Sequence, residues 1–175
     1  APEITGVEIL VNGTPSGTAL AGDTLSCNAL GYTDADGDSG QFIYQWKVNG
    51  APTASSASIN SGFVRTDVVS CELTPFDGQS FGVSQTASVT INNSPPVISS
   101  VSLSPSSPNI NSTITANIVA TDLDGDTITY LYSWLVNGTP VYNGTSLTSA
   151  YFTQGDSIAL EVAPDDGITT GPNVT

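Results

Sequence analysis

The chain has 175 residues and a formal net charge of −14, because 16 acidic residues face only Lys47 and Arg65. Nucleic acid is nearly excluded as a partner, since two basic side chains cannot neutralise a phosphate backbone. The absence of histidine removes Ser-His-Asp and Cys-His catalysis and the usual zinc ligands, and no apolar run is long enough to predict insertion into a membrane. The abundance of Ser, Thr, Gly, Val and Asn is typical of β-sheets joined by frequent turns.

A 20-residue pattern occurs twice, at residues 33–52 and again at 121–140, and 11 of its 20 positions are identical. Each copy has an acidic cluster, then an alternating segment with Tyr and Trp, then Asn-Gly. A repeat at this spacing indicates one module present twice. The sequence therefore predicts two domains, residues 1–94 and 95–175, joined by a short linker. Two prolines stiffen this linker, so we expect the two domains to form a semi-rigid rod.

Short segments with period-two alternation predict β-strands in both modules. In the third strand Tyr44 and Trp46 share the inward face, as Tyr132 and Trp134 do in module 2. Asn-Gly follows each of these strands and predicts a two-residue hairpin turn, because both turn positions require a positive φ. The predicted strands cover residues 2–9, 24–29, 42–48, 58–64, 68–73 and 86–91 in module 1, and 96–103, 113–118, 130–136, 146–152 and 158–162 in module 2.

About seven short strands per module, with a Trp on the third, resemble an immunoglobulin-like β-sandwich. The Asp-rich loop, the Tyr-x-Trp strand and the Asn-Gly turn are also similar to the polycystic-kidney-disease (PKD) and cadherin-like surface repeats of bacteria and archaea. This resemblance implies an all-β fold of two tandem antiparallel sandwiches. It says little about function, since such modules serve many secreted proteins.

In a sandwich of this kind, Cys27 and Cys71 lie on strands that face each other across the core, with the Trp beside them. We therefore expect a disulfide, the alternative being two buried free thiols. Module 2 has Ala116 and Leu160 at the matching positions, which indicates a structural staple rather than a redox centre. A persistent disulfide predicts an extracellular or cell-surface location.

Acidic residues concentrate in two kinds of loop, one before the third strand and one after the sixth, which an immunoglobulin-like fold places at the same end. Carboxylates that converge around a glycine suit Ca²⁺, which takes six to eight oxygen ligands. The pattern is not an EF-hand, because the glycine comes one position early and Gln45 and Ser133 stand where a bidentate Glu is needed. The alternative is a solvated acidic turn. The predicted calcium ligands are Asp34, Asp36, Asp38, Asp77, Asp122, Asp124, Asp126, Asp165 and Asp166.

Six Asn-x-Ser/Thr sequons predict covalent N-glycans on loops and strand ends. The alternative is that the sequons are unused, because an excess of Asn, Ser and Thr creates them by chance. The six candidate residues are Asn12, Asn92, Asn111, Asn137, Asn143 and Asn173.

Module 2 has no counterpart of the closing strand of module 1, so we expect an open sheet edge or an apolar groove. Either these residues belong to a longer array of repeats, or a neighbouring copy donates a strand. The alternating residues Ile4, Val7 and Ile9 are a candidate donor, although they also match the first strand of module 2. Both explanations favour copies that assemble head to tail.

These features together predict a non-catalytic structural subunit or repeat of an extracellular filament, stalk or adhesin, stiffened by calcium and N-glycosylated. The alternative is a carbohydrate- or protein-binding accessory module of a larger secreted protein. That function needs exposed aromatic residues, whereas most Tyr and Trp residues here alternate inward. Paired Asp residues of a glycosidase are a third possibility, but they lie on turn-rich loops without an evident cleft.

Overall fold

The structure, a computed structural model, describes Ala1–Thr175 as 15 β-strands without a helix. No segment forms a helix of the length and hydropathy that crossing a membrane requires. The chain divides into two compact units, Ala1–Asn93 and Ser94–Thr175, with the division one residue before the predicted boundary.

Unit 1 is a sandwich of two sheets. Every neighbouring pair is antiparallel except β3 and β9, which run parallel. The strand order agrees with that of an immunoglobulin-like fold. One sheet has the order β2 (Thr14–Pro15), β1 (Gly6–Val11), β4 (Leu25–Leu30), β7 (Ser58–Ile59), and the other β3 (Thr18–Leu20), β9 (Gln85–Asn92), β8 (Val68–Phe76), β5 (Gln41–Val48), β6 (Ala51–Ala54).

Unit 2 repeats this arrangement with six strands in two three-stranded sheets. All of its pairs are antiparallel, and β12 pairs with β15 in the same way as β5 pairs with β8. The sheets have the orders β10 (Val97–Ser104), β11 (Ile114–Thr121), β14 (Ser146–Leu147) and β13 (Thr139–Tyr142), β12 (Thr129–Val136), β15 (Ile158–Asp165).

A fully buried tryptophan occupies the centre of each core, as the alternation predicts. The indole N–H of Trp46 donates to the Ser56 carbonyl and that of Trp134 to the Gly144 carbonyl, both at 2.9 Å. These bonds satisfy the polar atom of each ring, so its large apolar surface is buried without an unpaired donor. The same device in both units confirms that the Tyr-x-Trp strand directs its Trp inward.

Cys27 of β4 and Cys71 of β8 form a disulfide between the two sheets of unit 1, with their Cα atoms 6.2 Å apart. Cys71 lies opposite Trp46 in the β5–β8 ladder, and in unit 2 Leu160 lies opposite Trp134. Leu160 is 3% exposed, so apolar packing replaces the sulfur bridge there.

The structure corrects several predicted strands. The strands expected at residues 58–64 and 146–152 shrink to two residues each, β7 and β14. Gly62, at φ 88°, lies in the first of these segments, and a turn closed by Tyr151 N–H to the Thr148 carbonyl at 3.1 Å interrupts the second. Phe63 is nevertheless buried, because an irregular segment can still direct one apolar side chain into the core. The short strands β2, β3, β6 and β13 were not predicted.

Within residues 1–175, no strand is paired with β15 on the side away from β12. Val174 and Thr170 make isolated antiparallel bridges to Val162 and Asp165. In unit 1 the equivalent edge of β8 is covered by β9 along six residue pairs, from Val68–Thr90 to Leu73–Gln85.

Candidate metal centre

The acidic loop of unit 2 folds around the carboxylate of Asp122. Its Oδ1 accepts the backbone N–H of Asp124 at 2.8 Å and that of Asp126 at 3.3 Å. Gly125 adopts φ 78°, a left-handed conformation that glycine reaches without strain, and this allows the tight turn. The chain is thereby wrapped so that the three Asp side chains lie on one concave side.

One oxygen from each of Asp122, Asp124 and Asp126 lies within 4.8 Å of the other two, and all three residues are half-buried. Asp122 Oδ2 is buried and accepts no hydrogen bond. A buried carboxylate oxygen without a partner is costly, and neighbouring negative charges raise that cost. A bound cation would remove both penalties.

Ser94 contacts this cluster through its backbone. Its backbone N–H donates to Asp124 Oδ2 at 2.6 Å, and the residue is only 2% exposed. Its hydroxyl is buried and has no hydrogen-bond partner. The donor set around the loop therefore consists of oxygen alone, with no sulfur or imidazole, which suits a hard cation.

The twin loop of unit 1 has the same backbone turn but does not gather its carboxylates. Asp34 Oδ1 accepts the N–H groups of Asp36 at 2.9 Å and Asp38 at 3.4 Å. The Asp34 side chain is 1% exposed, whereas Asp36 and Asp38 are exposed. No three carboxylate oxygens of unit 1 come as close together as those of unit 2.

The second predicted acidic loop in each unit uses its carboxylates to cap its own turn. Asp77 Oδ1 accepts the N–H groups of Gln79 at 2.7 Å and Ser80 at 2.6 Å, and these bonds lower the pKa of the Asp77 carboxyl. Asp166 makes the equivalent bonds with Ile168 and Thr169. Asp165 accepts the Gly167 N–H at 2.9 Å and the Thr170 hydroxyl at 2.7 Å.

Tyr32 precedes the first acidic loop of unit 1, and the pKa of its hydroxyl is raised. Desolvation raises the pKa of the Tyr32 hydroxyl, and the negative charges of Asp34, Asp77 and Asp38 raise it further. Asp77 is not part of a carboxylate trio in unit 1. In unit 2, Asp165 and Asp166 are likewise outside the trio.

All six sequon asparagines are exposed, but two of them have a structural role. Asn137 Nδ2 donates to Asp156 Oδ1 at 2.7 Å, while its Oδ1 accepts the Ser157 N–H at 3.0 Å. Asn12 makes the same pair of bonds with Asp23 and Thr24. We call this arrangement, in which an Asn-Gly turn is joined to the Asp of a second turn, the Asn–Asp clamp. The Asn-Gly-Thr sequons at Asn12 and Asn137 coincide with it.

Two features of unit 2 were not predicted from the sequence. Tyr142 and Tyr151 stack with ring centroids 4.7 Å apart and are 39% and 38% exposed. Their separation of nine residues across an irregular segment gives no periodic signal. The position of Ser94 beside the Asp124 carboxylate was also not predicted. A serine before two prolines is typical of a linker and gives no indication of a binding site.

No protein-family model matches the chain, and no curated protein matches it. Among solved structures it is similar to a two fibronectin type-III domain segment from chicken tenascin, at 14% sequence identity and a TM-score of 0.45. The similarity covers 95% of this chain and 94% of that one. The fold described above rests on the strand order and the core of the chain itself.

Proposed function

We propose that this chain is a non-catalytic structural module of an extracellular filament, stalk or adhesin, and that its second unit binds Ca²⁺ where the linker enters. Copies would associate head to tail. The tandem sandwiches, the disulfide and the acidic surface support an extracellular role, because a stable disulfide needs an oxidising compartment. The PKD- and cadherin-like pattern of the acidic loops supports the same role.

The observation that carries the calcium proposal is the buried Asp122 Oδ2 without a donor, next to two further carboxylates. The hydrogen bond from Ser94 to Asp124 ties the start of unit 2 to this loop. A cation held by the loop would therefore fix the first residue of unit 2 as well as the loop. Asp122, Asp124, Asp126 and Ser94 would hold the ion, and water would complete the shell of six to eight oxygens.

Differential scanning calorimetry of the whole chain with CaCl₂ or with EGTA tests this site. A ligand that binds only the folded state stabilises it by about 2.7 kcal/mol at a concentration 100 times its Kd. We expect the transition of unit 2 to move upward with calcium. Asp122→Asn should abolish that shift. Asp36→Asn, in the twin loop of unit 1, is the matched control and should keep it.

A calcium shift that persists in Asp122→Asn, or a unit 2 transition insensitive to calcium, would contradict the metal site. Electron microscopy of the purified chain with and without chelator tests the structural role. We expect head-to-tail fibres that loosen or bend when calcium is removed. Isolated particles indifferent to calcium would contradict it.

The geometry of the sequons reduces the set of asparagines that we expect to carry a glycan. Because the amide nitrogens of Asn12 and Asn137 donate to carboxylates at 2.7 Å, a glycan on either one competes with its clamp. We therefore expect modification at Asn92, Asn111, Asn143 and Asn173 first. Peptide mapping by mass spectrometry of material from the native source measures the occupancy of each sequon.

An accessory carbohydrate-binding module is the second candidate, and the exposed Tyr142–Tyr151 pair favours it. Aromatic rings at a surface provide apolar faces with a polar tip, which suits sugar rings. A glycan array with the wild-type chain and Tyr142→Ala tests this function. Binding that is lost in Tyr142→Ala would support it, and no binding by the wild-type chain would contradict it.

A further inference from the structure

The dipeptide Asn-Gly occurs four times in the chain, and three of the four asparagines are held in Asn–Asp clamps. In each clamp Nδ2 donates to an Asp carboxylate at 2.7 Å, and Oδ1 accepts a backbone N–H at 3.0 Å. Both polar atoms of each clamped amide are therefore fixed. The clamped residues are Asn12, bonded to Asp23 and Thr24, Asn49, bonded to Asp67 and Val68, and Asn137, bonded to Asp156 and Ser157.

Asn143, the fourth of these asparagines, has no clamp. Its side chain is exposed and makes no hydrogen bond, and it lies in the irregular segment between β13 and β14. The backbone N–H of Gly144 also donates no hydrogen bond, whereas the Gly144 carbonyl accepts the indole N–H of Trp134 at 2.9 Å. The side-chain amide of Asn143 and the backbone nitrogen that follows it are therefore both available for reaction.

Asn-Gly is a reactive pair, because the backbone nitrogen of the glycine can attack the side-chain amide carbon of the asparagine. A bond forms between that nitrogen and Cγ, the Cγ–Nδ2 bond breaks, and the amide nitrogen leaves as ammonia with the proton from the glycine N–H. The product is a cyclic succinimide, which water opens at either ring carbonyl to aspartate or isoaspartate. Glycine favours the attack because it has no side chain to restrict the backbone. Water is the only co-reactant.

A clamp opposes this reaction through its geometry. The attack requires the amide carbon and the next backbone nitrogen to approach each other in a reactive orientation. The clamp directs the amide toward a second turn, so both of its hydrogen bonds must break before the side chain can rotate toward its own glycine. The bond to the carboxylate is charge-assisted and therefore stronger than a bond between neutral groups. The backbone N–H of each clamped asparagine also donates to the second turn, at 2.8–2.9 Å.

We propose that Asn143 is a site of spontaneous deamidation through a succinimide, and that the three clamps protect the other Asn-Gly pairs from the same reaction. The product has a carboxylate in place of a neutral amide next to Tyr142, so the chain gains one negative charge at neutral pH. Isoaspartate also lengthens the backbone by one carbon just before Gly144, whose carbonyl is bonded to Trp134. Either product destroys the sequon that begins at Asn143, so deamidation and a glycan exclude each other at this residue.

Peptide mapping by mass spectrometry of the unglycosylated recombinant chain tests the proposal. The folded chain is incubated in mildly alkaline buffer made with heavy-oxygen water, so that the isotope marks conversion during the incubation. Pepsin digestion in acid then stops the reaction, and electron-transfer fragmentation distinguishes aspartate from isoaspartate. We expect Asn143 to convert about tenfold faster than the clamped residues, because a hydrogen bond to a charged group is strong enough to change a rate by that factor. The clamped residues are Asn12, Asn49 and Asn137.

Two controls separate the effect of the clamp from the intrinsic reactivity of the dipeptide. In urea all four asparagines should convert at similar rates, since each is followed by glycine and no clamp remains. Asp156→Ala removes one clamp, and it should raise the rate at Asn137 by about tenfold while Asn12 keeps its wild-type rate. Calorimetry verifies that unit 2 of this variant is folded at the incubation temperature. Asp67→Ala makes the same test at Asn49 in the disulfide-bridged unit.

Three results would overturn the proposal. One is an equal rate of conversion at all four asparagines of the folded chain, and another is conversion of Asn143 in urea but not in the folded chain. The third is an unchanged rate at Asn137 in folded Asp156→Ala together with an unchanged rate at Asn49 in folded Asp67→Ala. All of these measurements use unglycosylated protein, so none depends on whether Asn143 carries a glycan in the native source or on the structural role proposed above.

Discussion

Asn137 Nδ2 donates to Asp156 Oδ1 at 2.7 Å, and this bond joins the β12–β13 turn to the turn that precedes β15. The same 2.7 Å bond joins Asn49 to Asp67 in unit 1. In each case the second turn is also closed by the Asp Oδ2, which accepts the N–H of the residue three positions earlier. One Asn–Asp clamp therefore holds together two turns that are nearly 20 residues apart in sequence.

Asn137→Ala should lower the free energy of unfolding of unit 2 by about 1–2 kcal/mol, since two side-chain hydrogen bonds are lost. The φ of 52° at this position adds to the cost, because Asn tolerates the left-handed region better than Ala does. Urea denaturation measures the change. Asn143→Ala, in another exposed sequon, is the matched control and should alter stability by less than about 0.5 kcal/mol. Equal losses for both variants would contradict the clamp.

Thr66 directly precedes Asp67 of the Asn49–Asp67 clamp. The other two clamps have glycine at this position. Its φ is 74°, while the equivalent Gly22 and Gly155 have φ of 86° and 95°. A β-branched residue in this region is strained by about 1–3 kcal/mol. Thr66→Gly should therefore stabilise unit 1, by about 1 kcal/mol after the greater flexibility of glycine in the unfolded chain is allowed for.

Calorimetry of the unit 1 transition checks this gain. Thr90→Gly, at an exposed position within β9, is the control and should lower stability by about 1 kcal/mol, because a strand interior gains nothing from glycine. If Thr66→Gly destabilises unit 1 to the same extent, the strain at Thr66 is not relieved by glycine.

The features that the sequence predicted best depend on short-range regularity. Period-two alternation was sufficient to place Trp46 and Trp134 in the cores, and Asn-Gly was sufficient to predict positive φ at Asn49 and Asn137. Both signals are properties of a few adjacent residues. They remain valid whichever elements later pack against them.

The partners of the carboxylates were harder to predict, because an Asp side chain can bond either to nearby backbone N–H groups or to groups distant in sequence. Asp77 was predicted to join the first acidic loop, yet its Oδ1 accepts the N–H groups of the residues two and three positions ahead, and its Oδ2 accepts the Ser80 hydroxyl. Asp122 makes similar local bonds through Oδ1 but keeps Oδ2 buried. Composition alone does not distinguish these cases, since burial depends on how the loop is covered in three dimensions.

The contribution of the disulfide to the stability of unit 1 can be measured with unit 2 as a reference in the same chain. Cys27→Ala combined with Cys71→Leu installs the residues that unit 2 has at the same positions. A bridge with a sequence separation of 44 contributes about 4 kcal/mol in the loop-entropy model, and new apolar packing offsets part of that loss. We expect the calorimetric transition of unit 1 to fall by about 10–20 °C and that of unit 2 to stay unchanged. A fall in both transitions would contradict independent cores.

The stability of the two units should respond differently to acid when the charged Asp77 side chain, which caps its own turn, is replaced. Backbone hydrogen bonds from Ser80 and Gln79 lower the pKa of Asp77, and a bond from Thr153 lowers that of Asp156, relative to the ordinary value of 3.8. A carboxyl whose pKa is lower in the folded state contributes stability that is complete above its unfolded pKa. That contribution is lost as the pH falls from about 4 through the folded pKa.

Asp77→Asn therefore should make the stability of unit 1 less dependent on pH between about 5 and 2, because the neutral side chain has no proton to gain. Unit 2 keeps Asp156 and serves as the control in the same molecule. Urea midpoints of the two units, followed across this pH range in the wild-type and variant chains, measure the effect. If the stability of unit 1 depends on pH to the same extent in both chains, the hydrogen bonds from Ser80 and Gln79 do not couple folding to the protonation of Asp77.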